Sequence, residues 1–232
     1  VLRYEFLVLS ILFLAPGALV FARRPDLRPL MRWAALASLP FALTERWFYP
    51  AYWSPRFLFD LIDVLGFGIE DVIFVVALGA FTTTAYAFVF QRRLEPRGDR
   101  STHRRLRNTA LLVLAVLALA LSLLWLGLPM LFATVAAELL GAAAMVLLRR
   151  DLLTPVLLGG LIVTLVYGLL CAIFAQLIPG VFERIWHTEA LIGRAIVGVP
   201  LEELLYAFAS GAIATAAFPF VRDEAYRAAR FK

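Results

Sequence analysis

Two adjacent acidic pairs, Glu70-Asp71 and Glu202-Glu203, stand at the start of long apolar runs. Placing a carboxylate at the centre of a bilayer helix costs about 2.5 to 3.5 kcal/mol, so such groups usually face a protein interior or a polar cavity. Carboxyl groups gathered out of water suit proton chemistry, because one can hold a proton at neutral pH while its neighbour stays ionised. The same residues also suit helix capping. Acids in a first turn favour the positive end of the helix dipole, and Pro200-Leu201-Glu202-Glu203 is a good helix start. Neighbours on a helix point about 100° apart, so one member of a pair can face the bundle while the other caps.

Three more acids lie in or beside apolar runs. Glu138 falls in mid-run, where capping cannot account for it, and is expected to form an interhelical hydrogen bond. Glu45 in TERWF and Glu183 in FERIW each close an apolar run beside an arginine, which leaves either a cavity-lining role or an interface ion pair. Trp47, Tyr49, Tyr52, Trp53 and Trp186 cluster at the same boundary, where an aromatic belt is expected without any function. His187 has no second ligand nearby and reads as an interface residue, so no metal site is expected. Cys171, the single cysteine, excludes an intrachain disulfide and reads as a small buried hydrophobe.

The elements that must position these residues are membrane helices. Hydrophobic residues make up 62% of the chain and are gathered into blocks, whereas a soluble core would spread them periodically. A spanning helix needs roughly 20 apolar residues, and seven blocks qualify, at about 5–22, 29–47, 68–91, 109–127, 129–148, 154–178 and 199–220. The fold class is therefore all-α and polytopic. Pro16 and Pro40 fall inside the first two blocks and predict kinks there. The first block leads to Arg23-Arg24 without a small-residue cleavage site and reads as a retained helix.

Arginine and lysine are unevenly shared between the two sides. One side carries 17 of the 22, including the run from Arg92 to Arg107, and the other carries five. Basic loops stay in the cytoplasm, so the amino terminus is expected outside and the carboxyl terminus inside a plasma membrane. The basic residues lie in short runs between apolar blocks, a pattern that points to anionic lipids and away from nucleic acid.

The chain also echoes itself. GFGIEDVIFVVALGAFTTTAYA at 66–87 aligns without gaps on GVPLEELLYAFASGAIATAAFP at 198–219, and FARRPDLRP at 21–29 echoes LLRRDLLTP at 147–155. This predicts a first repeat at 1–91 with helices 1 to 3, and a basic loop with a connecting helix 4 at 92–128. A second repeat with helices 5 to 7 follows at 129–232. Three-helix repeats joined by one crossing run in the same direction, related by a pseudo-twofold axis along the membrane normal. Both acidic pairs then lie at one depth, toward the outer leaflet.

Several functions are excluded. A retinal Schiff base needs a lysine in the bundle, and the sole lysine is Lys232 in the tail. There is no P-loop, and GFGIED at 66–71 lacks the last glycine and the preceding strand of a dinucleotide fingerprint. No cofactor is expected. A proton-coupled transporter remains a competitor, since repeats and intramembrane acids also suit ion pathways.

PLEELLYAF at 200–208 resembles the Pro-x-Glu-Glu helix start of the small membrane-embedded lycopene cyclases, and the length, seven predicted helices and two acidic copies resemble the fused tandem form of that family. Pro200, Glu202 and Glu203 match the motif. The first copy departs from it with Gly68 for proline and Asp71 for the second glutamate.

The resemblance implies an isomerase that forms β-type end rings on a linear carotenoid drawn from the lipid phase, without net redox change. A carboxylic acid would protonate the terminal alkene, and a hydratase acting on the same end group is the nearest alternative. Glu202 and Glu70 are then the expected bundle-facing acids, with Glu203 and Asp71 assisting. Phe74 and Tyr206, one turn below, are placed to stabilise a cation by cation-π attraction, with Glu45, Glu183 and Trp186 lining the pocket. A higher oligomer is compatible with the sequence.

Overall fold

The computed structural model describes residues 4–98, 102–187 and 192–229. Arg3, Arg100, Arg230 and Lys232, which entered the charge count, lie outside the described residues. Among the described residues, six helices are long and apolar enough to cross a membrane: α1 (Glu5–Arg23), α5 (Ile69–Val89), α6 (Thr102–Trp125), α7 (Met130–Leu148), α8 (Leu153–Leu177) and α10 (Leu201–Arg222). Their edges follow the apolar blocks closely. α6 begins earlier than its block, because helix continues outward through the basic residues.

The second predicted segment is broken. Its helix α2 (Arg28–Ser38) passes into a 3-10 stretch over Leu39–Thr44 and resumes as the single turn α3 (Glu45–Phe48). Pro40 lies where the helix changes form, since it has no N–H to give and its ring crowds the preceding turn. Two short helices, α4 (Leu61–Leu65) and α9 (Val181–Ile185), and three 3-10 turns, Pro25–Leu27, Leu58–Asp60 and Arg150–Leu152, lie between the longer elements. The fold is mostly helical, with small strands where loops were expected: β1 (Arg92–Pro96) pairs antiparallel with β4 (Glu224–Ala228), and β2 (Ala195–Ile196) pairs with β3 (Val199–Pro200).

Aromatic packing and hydrogen bonds fix the direction of the helices. Phe6, near the start of α1, packs on Phe74, while Arg24 at its end donates to the carbonyls of Ala87 and Arg92 beyond α5. α1 and α5 are therefore parallel. The intervening chain, including α2 and α3, must return along their length.

Like contacts recur in the two halves of the chain, both at the β1–β4 end of the bundle. Arg24 binds the Asp26 carboxylate through Nε and Nη2 and reaches the carbonyls of Ala87 and Arg92; Arg149 binds Asp151 in the same way and reaches those of Pro219 and Glu224. The equivalent arginines are thus Arg24 and Arg149, one residue out of step with the ungapped sequence echo, in which Arg23 faced Arg149. Helix contacts agree. A Cβ on Gly79 would meet Ser38 of α2 at 2.9 Å, and one on Gly211 would meet Val163 of α8 at 2.7 Å, so α5 sits on α2 as α10 sits on α8.

Pro219 breaks the pattern within α10. It cannot donate to the carbonyl of Thr215, and the Tyr226 hydroxyl on β4 occupies that carbonyl instead, at 3.0 Å.

Candidate active site

Each acidic pair divides its labour in the same way. Glu70 is fully buried, and its Oε1 accepts the backbone N–H of Leu58 at 2.7 Å. Glu202, 1% exposed, accepts the N–H of Ile192. Both therefore turn to the chain that enters their own helix and hold it down. Their second oxygens are buried without a hydrogen-bond partner. Neither residue lines the central cavity.

The second members do. Asp71 and Glu203 both line one cavity of about 230 Å³, walled by α2 and its 3-10 extension, α5, α6, α7 and α10. The placement is thus the reverse of the sequence expectation, which had Glu70 and Glu202 leading. Rotation of about 100° between neighbours permits either choice, and the incoming loops decide it.

Asp71 accepts the N–H of Gly68 through Oδ2 at 2.7 Å, which fixes its carboxyl at the first turn of α5. Glu45, 7% exposed on α3, lines the same cavity and accepts Trp53 Nε1 at 2.7 Å. Two carboxyls sharing one apolar cavity favour a state in which one of them keeps its proton. The break at Pro40 and the turn after it bring Glu45 to this position.

Glu203 is held by three donors. Its Oε1 accepts the Tyr52 hydroxyl at 2.5 Å and Trp186 Nε1 at 2.9 Å, and its Oε2 accepts the Tyr167 hydroxyl at 2.5 Å. Trp53 and Trp186, each bound to one of these acids, face one another across an isolated antiparallel bridge with ring centroids 4.9 Å apart. Ser54 N–H to Ile185 and His187 N–H to Tyr52 complete the bridge, and the side chains of Ser54 and His187 meet at 3.1 Å.

Phe74 and Tyr206 line the cavity one turn below the acids, as expected, and so do Glu45 and Trp186. Glu183 does not. The turn of α9 buries Val181, Phe182 and Ile185, which leaves Glu183 exposed and outside the cavity. Glu138 makes the expected interhelical bond, with Ser210 Oγ 3.1 and 3.0 Å from its two oxygens, and also lines the cavity.

Sequence reasoning missed Tyr167 and assigned Tyr52 and Trp53 to an aromatic belt. Tyr167 carried a usable signal: a phenol hydroxyl in an apolar run must find a partner when buried.

The far side of the bundle is filled. Phe13 of α1 stands between Phe74 at 5.1 Å and Tyr167 at 4.7 Å. The second half of the chain, with α7, α8 and α10, carries most of this constellation. Residues 129–221 match the sequence model of the lycopene cyclase family. No curated protein and no solved structure matches the chain. The lycopene cyclase match includes Glu138, Tyr167, Trp186 and Glu203, while Glu45, Tyr52 and Asp71 reach the same cavity from outside the matched span. It bears out the family resemblance read from residues 200–208.

Proposed function

We propose that this chain is a membrane carotenoid cyclase that closes β-type rings on the ends of a linear carotenoid such as lycopene. The observation that carries the reading is that two acidic helix starts, far apart in sequence, deliver one carboxyl each to a single, mainly apolar cavity in a chain whose second half matches lycopene cyclases. Asp71 and Glu45, sharing a proton, are the acid that protonates the terminal alkene. Glu203, oriented by Tyr52, Tyr167 and Trp186, faces the resulting positive charge. Phe74 and Tyr206 add aromatic faces, each worth about 0.5 to 2 kcal/mol toward a nearby cation. The neighbouring alkene attacks the cation, a ring proton leaves, and atoms and electrons balance without a cofactor. Glu70 and Glu202 hold the loops over the site.

The same reading makes the chain a tandem duplication with seven crossings, of which the broken segment Arg28–Phe48 is one. Its 21 residues cover about 30 Å at 1.5 Å per residue, enough for a hydrocarbon core. The paired arginine clasps and the matching glycine contacts support the duplication. So do the strands: Leu94 pairs with Tyr226, and the two are related by the offset that relates Gly66 to Gly198, so an axis passes between them. The basic β1–β4 end faces the cytoplasm and anionic lipid, with the acids toward the outer leaflet.

Expression in lycopene-accumulating cells tests the function. Ring-bearing carotenoids of unchanged mass are expected. Intact lycopene beside folded, membrane-inserted protein would overturn the reading.

A further inference from the structure

Glu138 lies in the same cavity as the outer acids but apart from them. Ser210, its partner on α10, is seven residues beyond Glu203, which places it about 10 Å deeper along that helix. Tyr206 lies between the two levels and lines the cavity. Thr134, one turn before Glu138 on α7, presents a buried hydroxyl without a partner to the same space. A purely hydrocarbon substrate gives no reason for this polar patch as a binding device. Burying such groups is costly, so a role in the reaction is the economical explanation.

The geometry of ring closure supplies that role. In the six-membered ring, the carbon that received the proton and the carbon left with the positive charge stand opposite one another. The proton that must leave is on a neighbour of the charged carbon. An end group resting on the Tyr206 face would thus turn its protonated edge to Glu45 and Asp71 and its cationic edge to Glu138. A spacing of about 10 Å between the levels allows roughly 3 Å of contact at each side of a ring 4 to 5 Å across.

Resting on the cyclase reading, we propose that Glu138, held by Ser210, is the base that takes the ring proton and so decides where the final double bond forms. The proton passes from the Glu45–Asp71 pair to the terminal alkene carbon, a carbon-carbon bond closes the ring, and the carbon-hydrogen bond beside the cation breaks toward Glu138. One proton is given to the substrate and one is recovered from it, so no other reactant is consumed.

The test compares wild type, Glu138→Gln, Glu138→Asp and Ser210→Ala in lycopene-accumulating cells, with pigments resolved by ring isomer and protein measured in membranes. In Glu138→Gln the β-type share of products is expected to fall about tenfold, with other ring isomers or water adducts of the same cation in its place. Aspartate should restore the wild-type pattern, and Ser210→Ala should shift it in the same direction as glutamine. Ser210→Ala carries the test if Glu138→Gln is absent from the membrane. A product ratio unchanged from an active wild type, at whatever total yield, would refute this role alone. An inactive wild type would remove the cyclase reading and this role with it.

Discussion

Replacing Glu203 by glutamine separates the cavity acids from the acids that hold the loops. Glutamine keeps the shape and one carbonyl oxygen, so it can still accept from Tyr167 or from the Tyr52 and Trp186 pair, but not from all three as Glu203 does. It also removes the charge. A unit charge about 4 Å from the carbocation, at an effective dielectric of about 20, contributes roughly 4 kcal/mol, and each 1.4 kcal/mol is tenfold in rate. Ring formation is therefore expected to fall about a thousandfold. Glu202→Gln should stay within a few-fold of wild type, because its amide oxygen can still accept the N–H of Ile192. Initial rates of ring formation in membranes from lycopene-accumulating cells, at matched protein level, give both numbers. Glu203→Gln within tenfold of wild type, or Glu202→Gln as damaged as Glu203→Gln, would refute the division of labour.

Four further outcomes follow from particular contacts. Asp71→Asn should abolish formation of the first ring as well as the second, because one cavity serves both acidic copies; a variant that stops cleanly at one ring would show two independent sites. Arg149→Ala removes bonds to Asp151 and to the carbonyls of Pro219 and Glu224, and at about 1.5 to 3 kcal/mol for a hydrogen bond to a charged group it should lower the melting temperature of the detergent-solubilised protein. Lysine there should recover little, since it lacks the fork. Gly211→Leu forces side-chain atoms into Val163 and should cost about 1 to 3 kcal/mol, read by the same melt. Glu224, on β4 outside the spans, has its acid range raised, chiefly by burial and against the pull of Arg222. The unfolded chain therefore loses this proton first, stability falls as pH rises through the raised value, and Glu224→Gln should flatten that part of a stability-against-pH curve.

The helices were readable because lipid demands long uninterrupted apolar runs, and the six long ones begin and end near the boundaries of those runs. The broken segment was readable only as apolar; that Pro40 would end α2 and not merely bend it depends on the turn that carries Glu45 to Asp71. The acidic pairs were legible as acids placed at the starts of apolar helices, but their inner division was not. Leu58 and Ile192 decide it, and neither has a sequence feature that marks it as a hydrogen-bond donor to a distant acid. The β1–β4 pairing was hidden for a related reason: charged strands such as Arg92–Pro96 look like loop until a partner from the other end of the chain arrives.

Two like halves, each entering at one face of a membrane and leaving at the other, cannot be joined end to end unless the linker itself makes the journey back. On the proposed duplication with seven crossings, α6 is that return passage. It also does more than reconnect, since Thr109, Val116 and Ala120 line the cavity. On that reading the tether adds a wall with no counterpart to a scaffold of paired halves, and a chain cut between β1 and α6 would test whether the vessel survives without its strap.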